Sequence, residues 1–275
     1  MLDKYYFGKV DRISPEAPVP IVNIQKEESR LGGASNVANN IVSLGGHSLL
    51  CGVIGHDLFG KEIERISRHK NIDTFLLKTS SPTITKARII GGKQQIVRVD
   101  YEDKSELNAD NKKLFRDTIS RILPEYDILV ISDYGKGLIS EDLCRYLIKL
   151  AHKYDKKVII DPKGKNWEKY SGADIVTPNV KELSDIVGYT VPNTDRAIEK
   201  AAREAITNNH LTALLVTRSD KGMSLIGPIP PIHIPTHSEE VFDVSGAGDT
   251  VVATLGLCLA AGFEISEAMR TANIA

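Results

Sequence analysis

Cysteine and tryptophan are scarce in this chain, and neither sign of charge is in excess. The three cysteines, Cys51, Cys144 and Cys258, lie far apart in apolar stretches. An odd, scattered set fits reduced core thiols better than a disulfide or zinc framework, and cytoplasmic localisation is the expectation. With 35 basic and 36 acidic residues the formal net charge is −1. No overall positive field draws nucleic acid or an anionic membrane, so the expected partner is a small molecule. No basic stretch followed by an apolar one opens the sequence, which argues against a secretory signal. The most apolar run, residues 251–261, is too short to cross a bilayer and reads as a buried helix. The histidines, among them His47, His56, His233 and His237, lack the paired spacing of a metal site. No G-x-G-x-x-G follows a first strand, which counts against a Rossmann dehydrogenase. Internal repeats and low-complexity tracts are absent as well.

What is present is the makeup of a well-packed globular protein, 41% hydrophobic and 26% charged over 275 residues, not that of extended disorder. Short apolar runs at 49–54, 72–77, 127–132, 157–161, 174–177 and 213–217 alternate with amphipathic stretches. This alternation predicts βαβ units and a mostly parallel sheet, hence a doubly wound α/β sandwich read as one domain over 1–275. Leu58, Phe59, Ile63 and Ile66 recur at helical spacing, and Ser140 and Thr194 are N-cap candidates before further apolar stripes. Two regions break the alternation. Segments 5–10 and 19–25 are extended, and 83–90 with 95–101 flank Gly91-Gly92 like a hairpin. Together, over about 4–30 and 83–101, they predict a small sheet outside the main core that acts as a lid. Its exposed apolar face would pair with a second copy to give a homodimer.

Chemistry concentrates in Asp243-Val244-Ser245-Gly246-Ala247-Gly248-Asp249-Thr250, which leads into the apolar helix. Small residues let a backbone approach a ligand closely. The unpaired N–H groups of a helix start, reinforced by the helix dipole, attract anions, and phosphate above all. Phosphoryl transfer needs charge stabilisation on the moving group and a residue that deprotonates the acceptor. Gly246, Ala247 and Gly248 would offer amides to the transferred phosphoryl, and the Asp249 carboxylate would take the proton. Taken alone, the string also reads as a tight strand-to-helix turn.

The string resembles the C-terminal signature of the PfkB, or ribokinase-like, carbohydrate kinases, D-T-x-G-A-G-D, with Val244 where Thr is usual. A second stretch, Gly32-Gly33-Ala34-Ser35-Asn36-Val37-Ala38, with Leu44-Gly45-Gly46 and Gly55-His56-Asp57 beyond it, is similar to the family's N-terminal signature. That likeness implies that Gly32, Gly33 and Asn36 line a sugar pocket, and that Asp3 bonds sugar hydroxyls. Asn179-Val180-Lys181-Glu182 resembles the N-x-x-E motif, which implies that Asn179 and Glu182 organise Mg²⁺ through water. The loop from Thr217 to Met223 is similar to the family's nucleotide loop, implying ATP contacts from Thr217, Ser219 and Gly222. A monovalent-cation requirement is left open.

Within the family the likeness is to the heptose-7-phosphate kinases, through Arg12-Ile13-Ser14-Pro15-Glu16-Ala17-Pro18-Val19-Pro20, Ser132-Asp133-Tyr134-Gly135-Lys136-Gly137, Asp161-Pro162-Lys163-Gly164 and Val241-Phe242-Asp243-Val244-Ser245. It implies ATP-dependent phosphorylation at the anomeric oxygen of D-glycero-D-manno-heptose 7-phosphate. Arg88, Lys136 and Lys163, along with Lys86 and Arg98, are candidates for holding the sugar phosphate, Arg having the better fork geometry. Relatives begin with an apolar strand ending in Gly-Asp and continue past the last helix, so both ends read as trimmed. Bifunctional relatives carry an H-x-G-H motif that does not occur here. Another PfkB-type sugar kinase, or a non-catalytic sugar-phosphate or nucleotide binder on the same fold, is the alternative.

Overall fold

Antiparallel strands need only a turn between them, whereas parallel strands need a long crossover. Both connections occur in the first of the two units of the computed structural model, Met1–Val42 with His47–Lys104. The structure describes residues 1–236 and 246–275. In this unit β1 (Leu2–Ile13) and β2 (Pro20–Leu31) form a long antiparallel pair, and β5 (Thr85–Gly91) and β6 (Gln94–Tyr101) a hairpin. β1 and β5 join them in parallel, in the order β2-β1-β5-β6. β3 (Leu49–Gly55) and β4 (Asp73–Thr79) make a separate parallel pair. Leu2, Leu31, Leu50, Ile54, Ile63, Ile66 and Ile72 form the unit's core with α1 (Ala34–Ser43) and α2 (Leu58–His69). The expected stripe on α2 holds for Ile63 and Ile66, but Leu58 is 78% exposed. Leu58 falls in the first turn, where Asp57 caps the helix by accepting from the Gly60 amide at 2.7 Å.

The second unit, Ser43–Gly46 with Ser105–Ala275, holds a six-stranded sheet. β7 (Ile128–Ser132), β8 (Lys157–Asp161), β9 (Ile175–Val176) and β10 (Leu214–Thr217) run parallel, and β11 (Met223–Ile226) and β12 (Ile232–Ile234) extend the sheet antiparallel. Val158, Ile159, Ile160, Leu214, Leu215 and Val216 are fully buried, as strands covered on both faces require. Each such side chain contributes about 1.5–3 kcal/mol by leaving water. The helices are α3 (Ala109–Ile122), α4 (Glu141–Lys153), α5 (Val180–Val187), α6 (Asp195–Asn209), α7 (Ala247–Ala260) and α8 (Ile265–Ile274). The predicted stripes on α4 and α6 are buried at Leu143, Leu147 and Leu150 and at Ile198, Ala201, Ala202 and Ala205. Ser140 and Thr194 occupy N-cap positions without a side-chain bond to a helix amide. The Ser140 hydroxyl instead donates to Asp142.

Candidate active site

In the second unit, the C-terminal ends of β7, β8 and β10 and the starts of α5 and α7 surround one cavity. It is lined by Asp133, Tyr134, Asp161, Pro162, Lys163, Thr177 and Thr217 at or just past the strand ends, by Asn179, Glu182, Gly246, Gly248 and Asp249 from the loops and helix starts, and by Val251 and Val252 of α7. Gly246 is left-handed (φ 87) and turns the chain into α7, whose first turn carries Asp249. The first amides of any α-helix have no intrahelical partner, and among the described residues no acceptor lies against those of Gly246, Ala247 and Gly248. Asp249 is 8% exposed, and its Oδ1 accepts a hydrogen bond from the Tyr134 hydroxyl at 3.0 Å. Asp243, Val244 and Ser245, with Val241, Phe242 and His237, lie outside the described residues.

Asn179 caps α5. Its Oδ1 accepts from the Glu182 amide at 2.9 Å, and Glu182 Oε2 accepts from the Asn179 amide at 3.1 Å, closing a reciprocal capping box. The other oxygen of Glu182 accepts from Lys163 Nζ at 3.1 Å. Opposite them, burial first and then the Glu182, Asp249 and Asp133 carboxylates, with Lys163 opposing, push the Asp161 carboxyl up to about 7. Asp133, 3% exposed, is better supplied. It accepts from the Gly135 amide at 2.7 Å, from the Tyr170 hydroxyl at 2.7 Å and from Lys169 Nζ. The Tyr170 oxygen also accepts from the Lys163 amide at 3.0 Å, and the indole N–H of Trp167, the chain's single tryptophan, donates to the Gly164 carbonyl at 3.1 Å. These bonds fasten the loops after β7 and β8 to each other.

Of the residues expected in the site, Asp249, Gly246, Gly248, Asn179, Glu182, Thr217 and Lys163 meet at this cavity, whereas Ala247, Ser219, Gly222 and Lys136 do not line it. Ser219 is exposed in a 3-10 turn (Ser219–Lys221). Gly222 closes that turn with φ 77, where a Cβ would lie 2.0 Å from the Ile234 carbonyl oxygen, so only glycine fits. Arg218 holds the loop from beneath, 3% exposed and bonded to Asn193, Asp195 and Ser224.

The remaining expected residues fall in the first unit. Arg88 donates to Asp3 Oδ1 at 2.5 Å. Asp3 stands in register between Arg30 on β2 and Lys86 on β5. Burial lowers the Lys86 ammonium, with Asp3 opposing. A Cβ on Gly32 would meet Asp3 Oδ2 at 2.1 Å, so that glycine lets the carboxylate approach the backbone. Gly33 accepts from the amides of Asn36 and Val37 at the start of α1. Sequence reasoning missed Tyr134 and Asp133 as partners in the site and Asp161 as a strained carboxyl, although the runs containing them had been singled out. Lys169 and Tyr170 carry no local pattern.

These features define a ribokinase-like α/β fold. Phosphofructokinase-2 from Escherichia coli superimposes with a TM-score of 0.80 at 22% identity, covering all of this chain and 90% of that one. A ribokinase of Arabidopsis thaliana does so with a TM-score of 0.76 at 20% identity, covering 99% and 87%. The chain belongs to the pfkB family carbohydrate kinases, whose profile matches residues 5–275. It is 45% identical over 277 residues to the bifunctional protein HldE of Haemophilus influenzae strain PittEE, covering all of this chain and 57% of that protein. Over 274 residues it is 44% identical to the D-beta-D-heptose 7-phosphate kinase of Bordetella bronchiseptica, covering 99% of this chain and 86% of that protein. The chain thus spans a little over half the length of the bifunctional relative.

Proposed function

We propose that the chain is an ATP-dependent sugar kinase that phosphorylates the anomeric hydroxyl of D-glycero-β-D-manno-heptose 7-phosphate to the 1,7-bisphosphate, a step in making heptose precursors of the lipopolysaccharide core. The observation that carries this reading is the Asp249 carboxylate in the first turn of α7, beside amides with no helical acceptor and at the edge of an oxygen-lined cavity. Support for the sugar comes from the relative named as a heptose 7-phosphate kinase, to which the likeness runs almost end to end.

Asp249 takes the proton of the anomeric hydroxyl as the phosphorus–oxygen bond to the acceptor forms and the bond to ADP breaks. A weak base suffices, because in a loose transition state the proton leaves late. The amides of Gly246, Ala247 and Gly248 receive the developing charge on the transferred group. Thr217, Ser219 and Gly222 are assigned to ATP, Asp3, Gly32, Gly33 and Asn36 to the sugar, and Arg88, Lys136 and Lys163 to its phosphate. The donor set fits Mg²⁺. It consists of hard oxygens, and the surplus of negative charge that raises Asp161 is what a divalent cation relieves. Among the described residues no three His, Cys, Asp or Glu side chains group closely enough to hold a metal directly. Asn179 and Glu182, with Asp161 beside them, would hold it, and the bound ion neutralises phosphate charge.

Pairing through the lid sheet into a homodimer accords with the exposed Ile24, Val97, Val99 and Tyr101. Cytoplasmic residence accords with three free cysteines. Among the described residues no helix is long and apolar enough to cross a membrane.

A coupled ADP-release assay across heptose 7-phosphate, fructose 6-phosphate and ribose tests the reading, with phosphorus NMR locating the new phosphate. Fastest turnover on heptose 7-phosphate, with product at the anomeric oxygen, is expected. Tight binding of the sugar phosphate without ADP release would instead identify a non-catalytic binder, and preference for another sugar would reassign the substrate.

A further inference from the structure

One contact reaches the Asp249 carboxylate from a distant part of the chain. Tyr134 donates its hydroxyl hydrogen to Oδ1 across 115 residues of sequence. The tyrosine ring does not serve the core. It is half-buried and lines the cavity, whereas Tyr170, which does pack into the core, is fully buried and does not. The backbone under Tyr134 is held on both sides. Its neighbour Asp133 is buried and bonded to Lys169, to Tyr170 and to the Gly135 amide, and Gly135 takes a left-handed turn (φ 63) just beyond. Through Tyr170 the same anchor reaches the Lys163 amide, so the loops after β7 and β8 share it. An aspartate in the first turn of a helix retains rotamer freedom about its side-chain torsions. A donor at a fixed point removes that freedom and biases the carboxylate to one orientation.

We propose that Tyr134 is a positioning residue for phosphoryl transfer. Its hydroxyl orients the Asp249 carboxylate toward the acceptor oxygen, and the buried Asp133–Lys169–Tyr170 anchor keeps Tyr134 in place. The inference rests on the reading of Asp249 as the base. It assigns to a residue with no direct part in the chemistry a share of the turnover rate, acting through Asp249 and not through ligand binding. A bond to a charged group that is aligned only when Tyr134 is present gives an expected loss of about ten- to a hundredfold in rate.

The test is steady-state kinetics on the wild type, Tyr134→Phe, Asp249→Asn and the double variant, with thermal melts of each. Phenylalanine keeps the ring and removes only the donor. Expected for Tyr134→Phe are a near-unchanged melt, a kcat lower by about ten- to a hundredfold and KM values for ATP and sugar phosphate within about threefold of wild type. Added to Asp249→Asn, it should cost nothing further, since the group it positions is already lost. Wild-type kcat in Tyr134→Phe, a full multiplicative loss in the double variant, or a lowered melt with both KM values raised would overturn the inference and leave the kinase reading standing. A wild-type protein that releases no ADP with any sugar phosphate would overturn both.

Discussion

Asp57 in the first unit and Asp161 in the second are the same side chain in opposite circumstances. Burial works against the charge of Asp57, but the amides of Thr83 and Gly60, the Thr83 hydroxyl and the Phe59 amide outweigh it, and the carboxyl is held below its ordinary value. Three of those bonds measure 2.7 Å. Asp161 is half-buried with few donors and faces other carboxylates, so its carboxyl rises to about 7, lost solvation being the first cause. Folding completes the environment of the first and leaves the second unfinished. Supplying donors to a buried charge makes a structural anchor; withholding them leaves a site that gains when a cation or phosphate-bound metal arrives.

The largest effect expected from disturbing the unfinished side is on turnover. Asp249→Asn should lower kcat about a thousandfold while leaving KM for both substrates within a few-fold, read by ADP release. Equal turnover in variant and wild type would remove Asp249 from the role of base.

Next comes Asp161→Asn in metal-free protein. A carboxyl raised on folding penalises the folded state once pH exceeds the unfolded value near 3.9, and fully so above the folded one. The variant should therefore be more stable than wild type above about pH 7, by on the order of 1–4 kcal/mol, with the gain vanishing as pH falls toward about 4. Excess Mg²⁺ should stabilise wild type and narrow the gap. A variant less stable than wild type at pH 8 would mean that Asp161 is a satisfied anchor like Asp57.

The smallest effect belongs to the finished side. Asp57→Asn should cost about 1–2 kcal/mol of stability at pH 7: an asparagine oxygen can still cap α2, but its NH2 group cannot accept the bond that the Thr83 amide gives to the second carboxylate oxygen. Because the folded carboxyl is depressed, that contribution is present above the unfolded value and lost as pH falls through the folded one. The difference in thermal melts between variant and wild type should accordingly shrink below about pH 4. A difference that grows on acidification would reverse the contrast between the two aspartates.

Much of this organisation was legible in the sequence wherever a regular period or a compact string carried it. The apolar runs that became β3, β4, β7, β8 and β10 stood out as short hydrophobic stretches between amphipathic ones, and at β8 and β10 they are the runs of a strand buried on both faces. β11 and β12 did not, being three or four residues long around a Gly-Pro and Pro-Pro segment. α3 was missed because only Phe115 and Ile119 are buried on a polar helix. α7 starts four residues before the apolar run that announced it, since Ala247 to Thr250 join the helix despite a glycine. In the site, Asp249, Asn179 and Glu182 were readable because their roles depend on a helix start that local sequence encodes. The bond from Tyr134 to Asp249 and the meeting of Asp133 with Lys169 and Tyr170 depend on tertiary closure between distant segments. No short-range pattern reports such closure.

Trp167 gives the protein an optical reporter of its own. The lone indole, 1% exposed, is tied by its N–H to the Gly164 carbonyl at the end of the loop that brings Asp161 and Lys163 to the cavity. Its emission is free of interference from other indoles. A fluorescence titration of the unlabelled, unmutated chain can therefore follow small changes in that loop as nucleotide, metal or sugar phosphate is added.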